Sequence, residues 1–371
     1  MTRMKDTVHP VFSDITWGAG GSTSDLSMEL AIYLQQTGHC ANMHMTCTNI
    51  AGSEDPVADI KSALDTALSN NVTNIVALRG DPPAGETEWK TAEGGFSCAL
   101  DLVKFIRAEF GNQFGISVAG YPEGHPVAIS EVADPASMTD TEKARCSTRD
   151  GKTFTCLDAD YAKEMTYLKQ KVDAGADFII TQMFFDTNVY HQFVKDCRQI
   201  GITCPIVPGL MCINAYAGFV KMTGFCKSRV PVELQNKMDA LKDDADAIKQ
   251  FGIDYGATMC RALLEGGDEP APALHFYTLN LEKVVYGVLE QLNLLEKPAV
   301  VNESDAASQV ATGSAWARVG DKVESIYGTG TVENMDHATA TATVRIESWL
   351  MAGRQNPIAY LQKGQYKKVF A

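Results

Sequence analysis

Short unbroken apolar runs take turns with stretches of helical apolar spacing, from the first residues of the chain to about Leu294. A short continuous run suits a strand buried on both faces, and recurrence at three and four residues suits an amphipathic helix. Val11–Trp17 predicts a strand that breaks at Gly18-Ala19-Gly20-Gly21. Leu26, Leu30, Tyr33 and Leu34 predict the helix behind it, with Ser22 to Ser24 as cap candidates. His44–Thr48 predicts the next strand. Asp55-Pro56 opens a helix with Ile60, Leu64 and Leu68 on one face, the Pro in the first turn being a start signal. Ile75–Leu78 is a third strand, Leu100–Phe110 a helix and Ile116–Ala119 a fourth strand. An irregular insertion, rich in Asp, Thr, Arg and Lys, spans roughly Asp134 to Asp158. Tyr161, Met165, Leu168 and Val172 then mark a helix that closes at Gly175, followed by strand Phe178–Gln182. Val189, Phe193 and Cys197 mark the next helix, and Pro205–Pro208 a strand. A long helical region from Tyr216 to Leu264, interrupted near Arg229-Val230-Pro231, precedes strand Ala273–Tyr277 and helix Leu281–Leu292.

Seven strands, each followed by helix, predict an α/β fold with a parallel sheet. Polar and Gly/Pro signals gather after the strands (GAGG, RGDPP, YPEGHP, TQMFF, PGL, YTLN), which suits a (β/α)8 TIM-type barrel with its site at the strand C-termini. An open doubly wound sheet is the alternative, weakened because no G-x-G-x-x-G opens a helix. A barrel wants eight strands, and the deficit falls at the front of the chain. Residues 1–295 are thus one expected domain, and Glu296–Gly313 reads as a Pro/Ala/Ser/Glu linker. Residues 314–371 hold short alternating runs separated by Gly and Asp, which predicts a small β-rich, SH3-like domain suited to contacts with a protein partner.

Composition narrows the function. With 45% hydrophobic and 21% charged residues the chain reads as an ordinary globular protein. A net charge of −14 argues against a broad nucleic-acid surface or a polybasic membrane anchor. No apolar run approaches the roughly 20 residues of a membrane helix, and the N-terminus has no apolar signal core. A cytoplasmic protein, assembled from like copies, is the expectation. The 10 cysteines include no Cys-x-x-Cys pair, so free or structural thiols are expected rather than disulfides, and His44 with Cys47 is a poor metal signal.

The stretch Asn74–Pro83 is where chemistry concentrates. A buried strand ends in Arg79, Gly80 and Asp81, two opposite charges around a glycine that permits close approach, and Pro82-Pro83 forbid further pairing. Taken alone, Arg79 and Asp81 read more readily as a loop ion pair than as a site.

Taken in order, SDITWGAGG, HMTCT, NIVALRGDPP, VAGYPEGHP, LKQKVDAGADFIITQMFFD, PIVPGL and LHFYTLN resemble the methylenetetrahydrofolate reductase family over about residues 11–293. The resemblance implies a (β/α)8 barrel that holds FAD at its top. It implies reduction of 5,10-methylenetetrahydrofolate to 5-methyltetrahydrofolate by NADPH or NADH, as a ping-pong relay of hydride through the flavin. Thr16, His44, Arg79, Gly80, Asp81, Ala99, Ala119, Tyr121 and His125 match flavin-lining positions of the family, and Lys171 matches a basic residue near the cofactor's phosphates. By residue type alone, His44 also reads as a core histidine and Lys171 as an exposed helix lysine. Asp81 matches the carboxylate expected to stabilise the cationic iminium form of the folate. Gln182 and Tyr277 match substrate-site positions, the glutamine bonding nicotinamide and folate in turn. Met183, Phe184 and Phe185 read as core and pocket wall.

The chain departs from the pattern in several places. Glu164 stands where much of the family has Asp at a flavin ribose, Leu281 where Arg is frequent, and Gly218 and Met222 where some relatives have Gln and Phe. The Phe-Glu-Phe-Phe-Pro type motif, whose Glu is the family's general acid, does not occur in the sequence. The expectation is therefore a barrel lacking its first βα unit and an impaired folate step; a non-catalytic flavin- or folate-binding subunit with an interaction tail is the alternative. The residues after Leu294 do not resemble the family's large regulatory domain, so inhibition by S-adenosylmethionine is not expected.

Overall fold

The structure is a computed structural model that describes residues 4, 7–17, 24–47, 55–81, 91, 93–295, 318–325, 328–336, 341–346, 358–362 and 366–368. The turn at Gly18–Gly21, the pair Pro82-Pro83 and the linker Glu296–Gly313 lie outside these residues. The chain divides into two compact units, Met1–Leu295 and Glu296–Ala371.

The first unit is built on a parallel sheet. Its strands β1 (Ser13–Ile15), β2 (Ala41–Thr46), β3 (Asn74–Leu78) and β4 (Gly115–Gly120) pair in sequence order. After the insertion strands β5 (Ile129–Glu131), β6 (Ser147–Arg149) and β7 (Lys152–Cys156), the sheet continues with β8 (Phe178–Thr181) and β9 (Ile206–Val207). Pro208 separates β9 from β10 (Gly209–Met211), which pairs in parallel with β11 (His275–Tyr277). The His275 N–H bonds the Pro208 carbonyl at 3.0 Å, so β11 extends the same series. The sheet curls far enough that Asp14 on β1 meets His275 on β11, the first strand and the last. This half-barrel agrees with an α/β fold of parallel strands.

The helices between strands are α1 (Ser24–Gln36), α2 (Pro56–Ser69), α3 (Ala99–Phe110), α4 (Asp140–Arg145), α5 (Asp158–Asp173), α6 (Thr187–Gln199), α7 (Tyr216–Cys226), α8 (Val232–Leu241), α9 (Ala245–Glu265) and α10 (Glu282–Gln291). Their starts follow from local chemistry. Asp55 caps α2 by accepting from the Ala58 N–H at 3.0 Å, and Pro56 takes the first position, where no donor is needed. Thr139 and Glu142 form a reciprocal capping box on α4, and Asp186 caps α6. The main core lies between sheet and helices, where Ile75, Ile116, Val118, Ile179, Leu64, Leu102, Phe193 and Val288 are all buried.

Three expectations from sequence are corrected. Leu26, Leu30 and Tyr33 are exposed, and α1 turns Met28, Ala31 and Leu34 inward instead. Their spacing marks a common face; it does not say that this face meets the core. The insertion is not irregular: β5, β7 and β6 form a three-stranded antiparallel sheet. The long helical region breaks twice, the second time at Lys242–Asp244, where Asp244 accepts from the Ala247 N–H and starts α9 afresh.

The second unit is an antiparallel sheet of β12 (Lys322–Ser325), β13 (Gly328–Asp336), β14 (Thr341–Ile346), β15 (Ile358–Gln362) and β16 (Tyr366–Lys368), in the order β15-β14-β13-β12-β16. Among the described residues, Val323, Val332, Ala342 and Val344 are buried in it. An irregularity between Val332 and Asn334 marks a bulge in β13.

Candidate active site

The C-terminal ends of the parallel strands carry the polar residues that the sequence singles out. β3 delivers Arg79, Gly80 and Asp81, and Gly80 has φ +95°, a left-handed conformation that only glycine adopts without strain. The Cys47 thiol after β2 donates to the Arg79 carbonyl at 3.2 Å, fixing the loop. β4 delivers Ala119, then Tyr121 and His125, whose rings meet edge to face at 4.6 Å.

Lys171 is buried, near the end of α5, and its Nζ donates to the Ala119 carbonyl at 2.9 Å while standing 4.9 Å from the Tyr167 ring. Burial pulls its pKa down to about 8, against the attraction of Glu164. The reading of Lys171 as an exposed helix lysine is thus overturned.

These groups act on one another. Burial, then the cations Arg79, Lys171 and Lys227, push His125 down to about 4, so its ring is neutral. Its Nδ1 accepts from the Val127 N–H at 3.2 Å. Burial pushes Tyr121 up to about 12, with Asp81 adding to the rise and Arg79 opposing it. Glu164, half-buried on α5, is raised by burial and lowered by Lys171 and Arg79. Arg79, Asp81, Tyr121, His125, Glu164 and Lys171 therefore form one electrostatic neighbourhood, in which the two cations are set against two carboxylates.

A second group lines the facing strands. The Asp14 carboxylate accepts from Asn42 Nδ2 at 2.7 Å, pairs with His275 Nε2, and lies 3.8 Å from His44 Nε2. Burial lowers the His44 pKa; Asp14 opposes that and His275 adds to it. Asn42 Oδ1 and His275 Nδ1 are buried polar atoms without a hydrogen-bond partner. The Tyr277 hydroxyl donates to the Thr181 carbonyl at 2.8 Å. That reach depends on Gly209, where a Cβ would collide with the same carbonyl and with the Tyr277 ring. Gln182 follows β8; its N–H bonds the Gly120 carbonyl at 2.7 Å and its Oε1 accepts from the Met183 N–H at 2.9 Å. Burial raises the Tyr277 pKa. Lys171 bonds the carbonyl of Ala119 on β4 and Tyr277 that of Thr181 on the adjacent β8, where Gly120 and Thr181 are paired, so the two groups share one mouth.

Two more of the expected residues lie at element ends. Thr16 is exposed at the end of β1, where its carbonyl accepts from the Ser27 hydroxyl at 2.8 Å. Ala99 is buried at the first position of α3. Sequence reasoning passed over Asp14, His275 and Glu123, although each lies inside a quoted motif. Glu123 is buried, with Oε2 accepting from the Arg229 N–H at 2.9 Å and Oε1 unpartnered; burial pushes it up to about 8.

The donor set suits a planar, phosphate-bearing cofactor. A diphosphate needs converging cations, found in Arg79 and Lys171, and a heteroaromatic ring needs donors and acceptors on the walls, found in His44, His125 and Gln182. Among the described residues no group of three or more His, Cys, Asp or Glu side chains is placed to hold a metal, and no helix is long and apolar enough to cross a membrane.

Residues 1–293 match the family model described as methylenetetrahydrofolate reductase. The chain is 49% identical over 293 residues to methylenetetrahydrofolate reductase (NADH) 1 of Zea mays, an alignment covering 78% of this chain and 44% of the maize protein. It is 33% identical to methylenetetrahydrofolate reductase 2 of Saccharomyces cerevisiae, covering 97% of this chain and 60% of that one. It is 34% identical to the probable methylenetetrahydrofolate reductase (NADPH) of Caenorhabditis elegans, covering 76% and 38%. The chain thus spans about half the length of the curated relatives it matches.

Proposed function

The chain belongs to the methylenetetrahydrofolate reductase family, and from that premise we propose that it reduces 5,10-methylenetetrahydrofolate to 5-methyltetrahydrofolate with electrons from NADH or NADPH, using bound FAD. The observation that carries this reading is geometric: Lys171 bonds the Ala119 carbonyl, the Gln182 N–H bonds the next carbonyl, that of Gly120, and Tyr277 bonds the carbonyl of Thr181, the residue before Gln182. Bound FAD would supply the hydride-transfer chemistry between the two substrates.

The protein's residues do the rest. Arg79 and Lys171 would hold the phosphate side, with Glu164 toward the ribose. His44, Gly80, Ala119, Tyr121 and His125 line the ring, Tyr121 as a neutral phenol and His125 as a neutral imidazole. Gln182, its Oε1 engaged by the Met183 N–H, turns its Nε2 protons to whichever substrate is present. Asp81 stands exposed at the rim, where its charge favours the iminium cation of the folate. The reaction also consumes one proton, at the nitrogen released when the bridging carbon leaves it. We assign this proton to none of the described residues. The second unit serves assembly or a protein partner.

The test is spectroscopic. Purified protein supplied with FAD should show flavin absorbance that NADH or NADPH bleaches and 5,10-methylenetetrahydrofolate restores slowly. Asp81→Asn should slow the restoration on the order of a hundredfold while sparing the bleaching. Failure to take up flavin, or equal losses in both halves, would overturn the reading.

A further inference from the structure

Connections between strand and helix in α/β units need about 2–6 residues. The segment from β4 to α5 is far longer, and its contacts converge on one place, the C-terminal end of α7. Arg149, the last residue of β6, donates to three carbonyls there: Thr223 at 2.5 Å, Ser228 at 2.7 Å and Gly224 at 3.2 Å. Lys227 returns a bond from its Nζ to the Ile129 carbonyl on β5 at 2.7 Å. The Arg229 N–H bonds Glu123, and its guanidinium pairs with Asp186.

The last carbonyls of a helix have no partner within it and carry the negative end of its dipole. α7 ends sharply, with Lys227 left-handed at φ +51°. A guanidinium fork suits such a cluster of oxygens, where an ammonium is only a point charge. The gripped helix end also belongs to the mouth. Cys226, the last residue of α7, is buried, and its thiol is pushed up to about 11 by burial, with Glu123 and Asp81 adding to the rise. Cys226 in turn acts on Tyr121 and Tyr277. Further along α7, Phe219 meets Phe185 edge to face at 5.3 Å, and Phe219, Met222, Met183 and Tyr277 share one apolar cluster.

We propose that Arg149 is a positioning residue: from the insertion, it sets where α7 stands against the mouth, and so how tightly the folate and nicotinamide substrates fit there. The inference rests on the reductase reading for its substrates, and on the geometry above for the grip itself. Arg149 touches neither substrate; it acts through the carbonyls of Thr223, Gly224 and Ser228. Arg198 is the natural comparison. It too collects backbone carbonyls, those of Ile202 at 2.8 Å and Cys204 at 3.1 Å, and pairs with Glu269, but these precede β9 at the opposite end of the sheet.

The experiment compares Arg149→Met, Arg149→Lys and Arg198→Met in the full chain. Arg149→Met should raise KM for folate and nicotinamide about tenfold or more while kcat changes little, since ligand fit depends on sub-ångström placement. Arg149→Lys should recover part of that loss. Arg198→Met should lower the melting temperature but leave both KM values in place. Equal KM changes in Arg149→Met and Arg198→Met, or no recovery in Arg149→Lys, would overturn the proposal. If the unaltered protein binds neither substrate, the reductase reading fails, and hydrogen exchange then judges the grip alone. Amides of 216–229 should exchange at least about tenfold faster in Arg149→Met, with those of α6 unchanged. A uniform change would overturn it.

Discussion

The two ends of the parallel sheet use the same kinds of side chain to opposite effect. At the end where the strands begin, Arg107 donates to the carbonyls of Phe114 at 2.6 Å, Gly111 at 3.0 Å and Gly175 at 2.9 and 3.0 Å, and pairs with Asp177 at 2.6 Å. The same Asp177 oxygen accepts from the Ile116 N–H at 2.7 Å. Charge and acceptor are matched on the spot. At the end where the strands finish, Lys171 is buried against a single carbonyl, His125 faces three cations, and Glu123 keeps an unpartnered oxygen. Burial is similar at the two ends, and the difference lies in completeness. A fully satisfied network fixes a fold, whereas an incompletely satisfied one is held ready for a ligand by its surroundings.

The comparison can be broken at either end. The largest effect is expected at the base. Arg107→Met strands the buried Asp177 carboxylate and should cost about 3–5 kcal/mol in chemical denaturation. Cofactor affinity of the protein that remains folded should be unchanged; a selective loss of affinity would erase the distinction.

A smaller effect is expected from Glu123, and it should appear as a pH slope. Its carboxyl rises from 4.5 to about 8 on folding, so the folded protein binds this proton more tightly than the unfolded chain. The stability that the proton confers is complete below pH 4.5 and is lost as pH rises through about 8. Glu123→Gln should flatten that part of the stability profile. An unchanged slope in paired denaturation series would show that the carboxyl is not held neutral.

The smallest effect is expected away from both ends. Leu26, Leu30 and Tyr33 are exposed on α1, so polar replacements there should move stability by no more than about 0.5 kcal/mol. A loss of 2 kcal/mol or more would mean that the stripe is covered in solution.

Much of this was legible in the sequence. Continuous apolar runs mark the strands because a parallel sheet buries both faces, and Asp55-Pro56 marks a helix start because its atoms satisfy one there. Gly80 was legible too, and its positive φ supplies the reason. Leu26, Leu30 and Tyr33 misled because periodicity reveals a face without naming what it meets. Lys171 follows Leu168 by three residues and precedes buried Val172, so it sits on the buried side of α5, yet residue type argues for solvent and only the motif argued otherwise. The insertion hid its order because its strands are three to five residues long, too short for alternation to register. The Asp14–His275 pair could not be read at all. No local pattern links residues that only the curl of a sheet brings together.

That pair also has a consequence in time. Its members are 261 positions apart in the chain. At the roughly 5–20 residues per second of ordinary synthesis, Asp14 emerges on the order of tens of seconds before its partner exists. During that interval its carboxylate has Asn42 to bond, and the curl cannot be locked from β11. Until then the first strand is kept in register by its pairing with β2, and the ring of strands can be drawn together only after almost the whole of the first unit has been made.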